Sequence, residues 1–181
     1  MKPINVGLLG IGTVGGGTFT VLKRNAEEIT RRAGRPIVIT TVADKNLELA
    51  RKVTGGEVKL TDDAFSVVTD PEIDIVVELI GGYGVAKELV LKAIENGKHV
   101  VTANKALLAV HGNEIFAAAR YAKEGGLTGL KLYGMVGLPS EEEADVEATA
   151  QLLLDLRKAT PGLRLAAEWS FESWLIPSET D

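Results

Sequence analysis

Short apolar, β-branched runs alternate with helix-length amphipathic segments along the whole chain. The runs are Ile4–Leu9, Ile37–Ala43, a weak Val58–Leu60, Ile73–Leu79, His99–Ala103, Leu130–Val136 and Leu163–Ala167. Most are continuously apolar instead of alternating, the pattern of strands covered on both faces. Helical stripes lie between them. "AKELVLKAIEN" sets Leu89, Ala93 and Ile94 on one face, and Gly97 ends it. "NEIFAAARYAKEGG" has the same character, with Gly125 and Gly126 as its stop. A third segment opens at Ser140 as N-cap, carries acids in its first turn and Lys158 near its end, and closes at Pro161 and Gly162. Alternating strand and helix predict a three-layer α/β fold whose sheet is mostly parallel, with six to seven strands. With no linker or low-complexity tract, residues 1–181 read as a single domain.

One strand-to-helix turn carries more than topology. Gly10, Gly12 and Gly15 form G-x-G-x-x-G directly after the first strand and before the first helix. The first glycine permits the tight turn, the second lets a pyrophosphate approach the backbone, and the third lets helix and strand pack closely. Free N–H groups and the positive end of the helix dipole would complete an anion site. The turn therefore predicts a doubly wound, Rossmann-like dinucleotide fold. Asp44, at the end of the second strand, is the candidate acceptor for the adenosine ribose hydroxyls. It stands further from the glycines than usual, which an extended first helix through "KRNAEEITRRAG" would explain. Lys45 beside it could attract a 2′-phosphate instead, so the residues leave NAD and NADP both open. A plain βα turn that binds nothing is the competing reading.

Composition narrows the chemistry. Net charge is −5, against the basic face that nucleic acid requires. There is no cysteine, which removes disulfides, thiolate nucleophiles and iron–sulfur clusters. Only two histidines, His99 and His111, are present, so no metal site is expected. His99 is expected to begin a strand and His111 to lie in a helix-leading loop. No run approaches the roughly 20 apolar residues of a membrane span. "MKPINVG" enters a strand at once, which predicts no signal peptide and a cytoplasmic setting. The expected partner is a small-molecule dinucleotide at most.

"GLLGIGTVGGGT", "DIVVELIGG" and "GKHVVTANKALLAVHG" resemble the nucleotide-binding domain of homoserine dehydrogenase over about residues 2–120. The resemblance implies a Rossmann-type fold and NAD(P)-dependent interconversion of aspartate semialdehyde and homoserine. It implies that Gly10, Gly12, Thr13, Val14 and Gly15 hold the pyrophosphate, and that Ile80 and Gly81 line the adenosine-ribose side. It also implies that Thr102, Ala103, Asn104 and Lys105 sit near the nicotinamide, with Lys105 in the active site. A surface lysine is the alternative for Lys105. One departure is the "YGVAKELV" after "ELIGG", where the family commonly has a small polar, proline-containing turn.

The remainder reads differently. The family's substrate and dimerisation domain, with its second lysine and acids, has no signature after residue 120. About residues 123–165, including "LKLYGMVGLPSEEEADV", resemble a βα segment of radical S-adenosylmethionine enzymes, but the cysteines of that chemistry are missing. A join near Ala117–Gly126, inside a predicted helix, leads to the expectation of an engineered chimera. In that reading, residues 1–120 are the dinucleotide-binding part and 121–181 a barrel-derived βαβ part that completes the sheet. NAD(P) binding would be weak and turnover absent. Active homoserine dehydrogenase and a ligand-free scaffold are the alternatives. Gly134, Gly137, Pro139 and Glu141–Glu143 then form a structural turn. In the tail, Trp169 and Phe171 share strand parity, while Trp174, Leu175 and Ile176 either cover the sheet or mediate self-association.

Overall fold

The computed structural model describes residues 2–124, 129–136, 154 and 164–171. The chain divides into two compact units, residues 1–118 and 119–181. In the first unit the order is β1 (Ile4–Leu9), α1 (Thr13–Arg24), α2 (Ala26–Ala33), β2 (Ile37–Ala43), α3 (Leu47–Thr54), β3 (Lys59–Thr61), α4 (Ala64–Thr69), β4 (Ile75–Glu78), α5 (Gly84–Glu95) and β5 (His99–Thr102). α6 (Lys105–Glu124) runs past the unit boundary.

The five strands form one parallel sheet in the order β3-β2-β1-β4-β5. Its chain order reverses at β1, which pairs with β2 on one side and β4 on the other. The doubly wound parallel sheet is therefore present. Its count differs from the six to seven strands expected, because β6 (Gly129–Val136) and β7 (Arg164–Phe171) pair in parallel with each other as a separate two-stranded sheet. Apolar runs specify that strands exist; they do not specify which neighbour each strand takes. The turn Gly137–Glu143, the helix from Ser140, the stop at Gly125 and Gly126, and the tail residues Trp174, Leu175 and Ile176 lie outside the described residues.

Both faces of the five-stranded sheet are covered, which explains its unbroken apolar runs. Val6 and Leu8 of β1 pack with Phe19, Ile39, Val42 and Ala50 on the α1 and α3 side. Leu9 and Val76 pack with Val67, Val68, Leu89 and Ala93 on the α4 and α5 side. Gly7 is required by that second contact, since a Cβ there would lie 2.4 Å from Val67 Cγ1. α5 presents the expected stripe, with Leu89 and Ala93 buried and Ile94 partly buried, and ends before Gly97 at φ +70°.

Two local readings change. The extended first helix is two helices, broken at Asn25, whose N–H turns back to the carbonyls of Lys23 and Val21. His111 lies within α6 instead of a leading loop, its ring 6.2 Å from that of Tyr83. His99 does begin β5.

Lys98, just before β5, is only 5% exposed and donates from Nζ to the carbonyls of Asp70 and Ile73. Burial pulls its pKa below the ordinary lysine value of 10.5, against the raising influence of Asp70 and Asp74. The folded state thus holds this proton less tightly than the unfolded chain. From this group alone, stability rises with pH toward 10.5 and is lost as pH falls through the lowered value. Lys98→Met removes a donor from both carbonyls, of which Asp70 O keeps the Ile73 N–H. It is expected to cost about 1–3 kcal/mol in chemical denaturation.

Candidate functional site

Parallel pairing puts the carboxyl ends of β1, β2, β4 and β5 on one edge of the sheet, at the reversal of strand order where α/β folds open a crevice. Backbone bonds lock these ends together. Gly10 N–H donates to Ala43 O at 2.8 Å, and Leu79 N–H donates to Leu9 O at 2.8 Å. Gly10 is buried with φ +92°, and a Cβ on it would lie 2.8 Å from Leu79 O. Gly15 is buried under the same turn, where a Cβ would lie 2.0 Å from Gly10 O.

Gly12 differs from both. It is the N-cap of α1, in extended backbone (φ −60°, ψ −158°), and a Cβ there would meet nothing within 4 Å. No side chain caps α1 and its first turn has no acid. Thr13 and Val14 are exposed beside it. The outcome is a helix N-terminus with unpartnered donors behind an open glycine face, an arrangement that fits a pyrophosphate.

Asp44 closes the turn from the β2 side. Its Oδ2 accepts from Ile11 N–H at 2.7 Å and its Oδ1 from Asn46 N–H at 2.8 Å. A carboxylate has about four acceptor positions, so capacity for two further donors is left. Asp44→Ala frees two backbone donors and is expected to lower stability by about 1–3 kcal/mol, read from denaturant midpoints. Lys45 is exposed and donates to Asp62 O at 2.9 Å, bracing the β3–α4 loop.

The other wall comes from β4 and β5. Ile80 and Gly81 are exposed after β4, with Gly81 at φ +81° and Gly82 at φ +70°. At and beyond the end of β5, Thr102 and Asn104 are half-buried, and Ala103 and Lys105 are exposed. Asn104 accepts from Leu107 N–H at 3.0 Å and so caps α6, whose first residue is Lys105. The strand-end groups thus gather on one edge, with Lys45 turned toward the β3–α4 loop. Reasoning from sequence missed Glu78. It ends β4, is fully buried, and accepts from Ile80 N–H at 2.9 Å and the Thr102 hydroxyl at 2.6 Å. Its signal was present as a lone acid inside an apolar strand.

An open cleft of about 570 Å³ lies elsewhere, around Lys23, Asn25, Glu28 and Arg31 at the end of α1 away from the turn. Glu28 there is satisfied by Arg31 and Arg32, which hold its carboxyl below the usual range. Among the described residues, no group of three His, Cys, Asp or Glu side chains could hold a metal, and no helix is long and apolar enough to cross a membrane.

The model of the homoserine dehydrogenase NAD-binding domain family matches residues 10–125. The chain belongs to this family. The homoserine dehydrogenase of Methylobacillus glycogenes is 83% identical over 109 residues, covering 60% of this chain and 26% of that protein. The one from Pseudomonas aeruginosa is 66% identical over 120 residues, covering 66% and 27%. The solved homoserine dehydrogenase of Thiobacillus denitrificans aligns with a TM-score of 0.65 and 67% identity, covering 68% of this chain and 28% of that one. The chain spans about a quarter of the length of the curated homoserine dehydrogenases it matches. A nicotinamide dinucleotide is accordingly the cofactor class of this fold.

These matches overturn the expectation of an engineered chimera without turnover. The motif-bearing part is 83% and 66% identical to the homoserine dehydrogenases of Methylobacillus glycogenes and Pseudomonas aeruginosa. No comparison supports a radical S-adenosylmethionine segment or a join. The chimera reading leaned on missing downstream signatures, and a chain spanning a quarter of its relatives gives that silence no weight. A short Gly-Leu-Pro run is common in sequence and singles out no family.

Proposed function

We propose that this chain is the dinucleotide-binding part of a homoserine dehydrogenase, interconverting homoserine and aspartate semialdehyde with NAD or NADP. The observation that carries the reading is the open Gly12 face before the uncapped N-terminus of α1. Gly10, Gly12, Thr13, Val14 and Gly15 hold the pyrophosphate through backbone N–H groups. Asp44 takes the adenosine ribose hydroxyls with its spare acceptor positions, and Lys45 attracts a 2′-phosphate only by leaving Asp62 O. Ile80 and Gly81 line the ribose side. Thr102, Ala103 and Asn104 border the nicotinamide, which when bound supplies hydride transfer. Lys105 holds at Nζ the proton exchanged with the substrate oxygen, and the α6 cap at Asn104 fixes where its backbone begins.

Calorimetric titration with NADH and NADPH tests the binding half. Saturable binding by at least one is expected, and silence from both at millimolar concentration removes the proposal. The ratio of the two affinities decides between Asp44 and Lys45 as the ribose reader. For the chemical half, homoserine oxidation by the wild-type chain is compared with Lys105→Ala, where turnover equal to wild type removes the lysine's role.

A further inference from the structure

The Glu78 carboxylate is an expensive thing to bury. It is wholly inaccessible, and none of the ion pairs among the described residues includes it. A carboxyl group in that position needs hydrogen-bond partners, and a valine would have suited the strand better. Its bonds do more than satisfy it. One oxygen takes Ile80 N–H, in the loop after β4. The other takes the Thr102 hydroxyl, at the end of β5. Thr102 Oγ1 in turn accepts from Asn104 N–H at 3.0 Å. Asn104 then divides its side chain: Oδ1 accepts from Leu107 N–H, and Nδ2 donates to the carbonyl of Gly82. The path leaves Glu78 through β5, reaches the start of α6, and returns to the β4 loop. It is a closed circuit, and Lys105 is held inside it, between Asn104 and Leu107.

We infer that Glu78 is a positioning residue for the nicotinamide side of the site: through Thr102 and Asn104, its buried carboxylate fixes the β4 and β5 loops to each other and sets where α6, and with it Lys105, begins. This rests on the proposed function for what the two loops hold. Glu78 is sealed beneath both loops and so acts through Thr102 and Ile80, without touching a ligand itself.

Three variants of the full 181-residue chain dissect the circuit. Glu78→Met keeps the length and removes both acceptors, Glu78→Gln keeps one, and Thr102→Val cuts only the β5 branch. Amide hydrogen exchange in the ligand-free chain reads the circuit with no cofactor present. Glu78→Met is expected to speed exchange at Ile80, Asn104 and Leu107 by about tenfold, the scale of one lost hydrogen bond, with Leu8 and Val42 unchanged. Glu78→Gln falls between Met and wild type. Thr102→Val speeds Asn104 and Leu107 and leaves Ile80 protected. Acceleration confined to Ile80, or shared equally by Leu8 and Val42, overturns the inference.

The second readout is saturation-transfer NMR with NADH, alongside ADP affinity. Glu78→Met is expected to lose most of the nicotinamide signal relative to adenine and to weaken ADP binding far less, through the freed Ile80 alone. Parallel loss of both, or loss of neither, overturns the positioning role. Failure of the wild-type chain to bind NADH or NADPH overturns the proposed function, while the exchange measurement still decides the circuit.

Discussion

Gly15→Ala is expected to be the most destabilising single methyl that can be added to this chain's glycine turn. The new Cβ would lie 2.0 Å from Gly10 O and 2.8 Å from Gly10 C. Both are backbone atoms, so no rotamer relieves the overlap. Gly10 cannot retreat, because its N–H is bonded to Ala43 and its α-carbon faces Leu79 O and the Ile80 α-carbon. The remaining escape is for α1 to move off the sheet, which pulls Phe19 out of the cluster around Val6 and Leu8. Forcing one methyl into a packed site costs 1–3 kcal/mol as a rule, and a backbone-bounded site belongs at or above about 3 kcal/mol. Against a typical total of about 5–15 kcal/mol, that is a large share. Thermal unfolding should show a drop of roughly 10 °C, and a drop smaller than about 2 °C would mean the turn is far softer than these contacts imply.

Gly12→Val, three positions from that change and equally invasive-looking, is expected to do the opposite. Its backbone is extended and its Cβ would project into open space. Stability should change by less than about 1 kcal/mol, since valine is merely a poorer N-cap than glycine. The side chain would occupy the space through which a pyrophosphate reaches the α1 N–H groups. Loss of two charge-assisted hydrogen bonds at about 1.5 kcal/mol each corresponds to roughly a hundredfold weaker dinucleotide binding. Unchanged melting with unchanged NADH or NADPH affinity would refute the pyrophosphate placement. The two variants separate packing from ligand approach within a single motif.

The glycine turn was legible because its spacing encodes steric demands that no other residue meets. The apolar runs likewise revealed β1, β2, β4 and β5, and the stripe on α5. The break at Asn25 was not legible: "KRNAEEITRR" keeps helical composition through a residue that ends one helix and starts the next. Sheet membership was not legible either, since Leu130–Val136 has the composition of any buried strand yet pairs with β7. Glu78 was passed over because a strand acid is usually solvated, and only coordinates reveal that Thr102 and Ile80 close over it. The chimera reading failed for a different reason. It treated motifs missing from 60 residues as a property of the protein.

The sheet's reversal at β1 also has a kinetic meaning. β1 meets β2 across a short crossover, and β4 meets β5 likewise, but Asn5 and Asp74 at the β1–β4 seam are 69 residues apart. That seam is tied by Asn5 N–H to Asp74 Oδ2, by Asn5 Nδ2 to Glu72 O and by Asp74 N–H to Asn5 O. Closing a longer loop costs more chain entropy, so the two halves can form locally before they join. The crevice exists only after they do. Folding order and binding competence are therefore coupled in this chain: the contact assembled at the greatest entropic distance is the one that creates the place for a ligand.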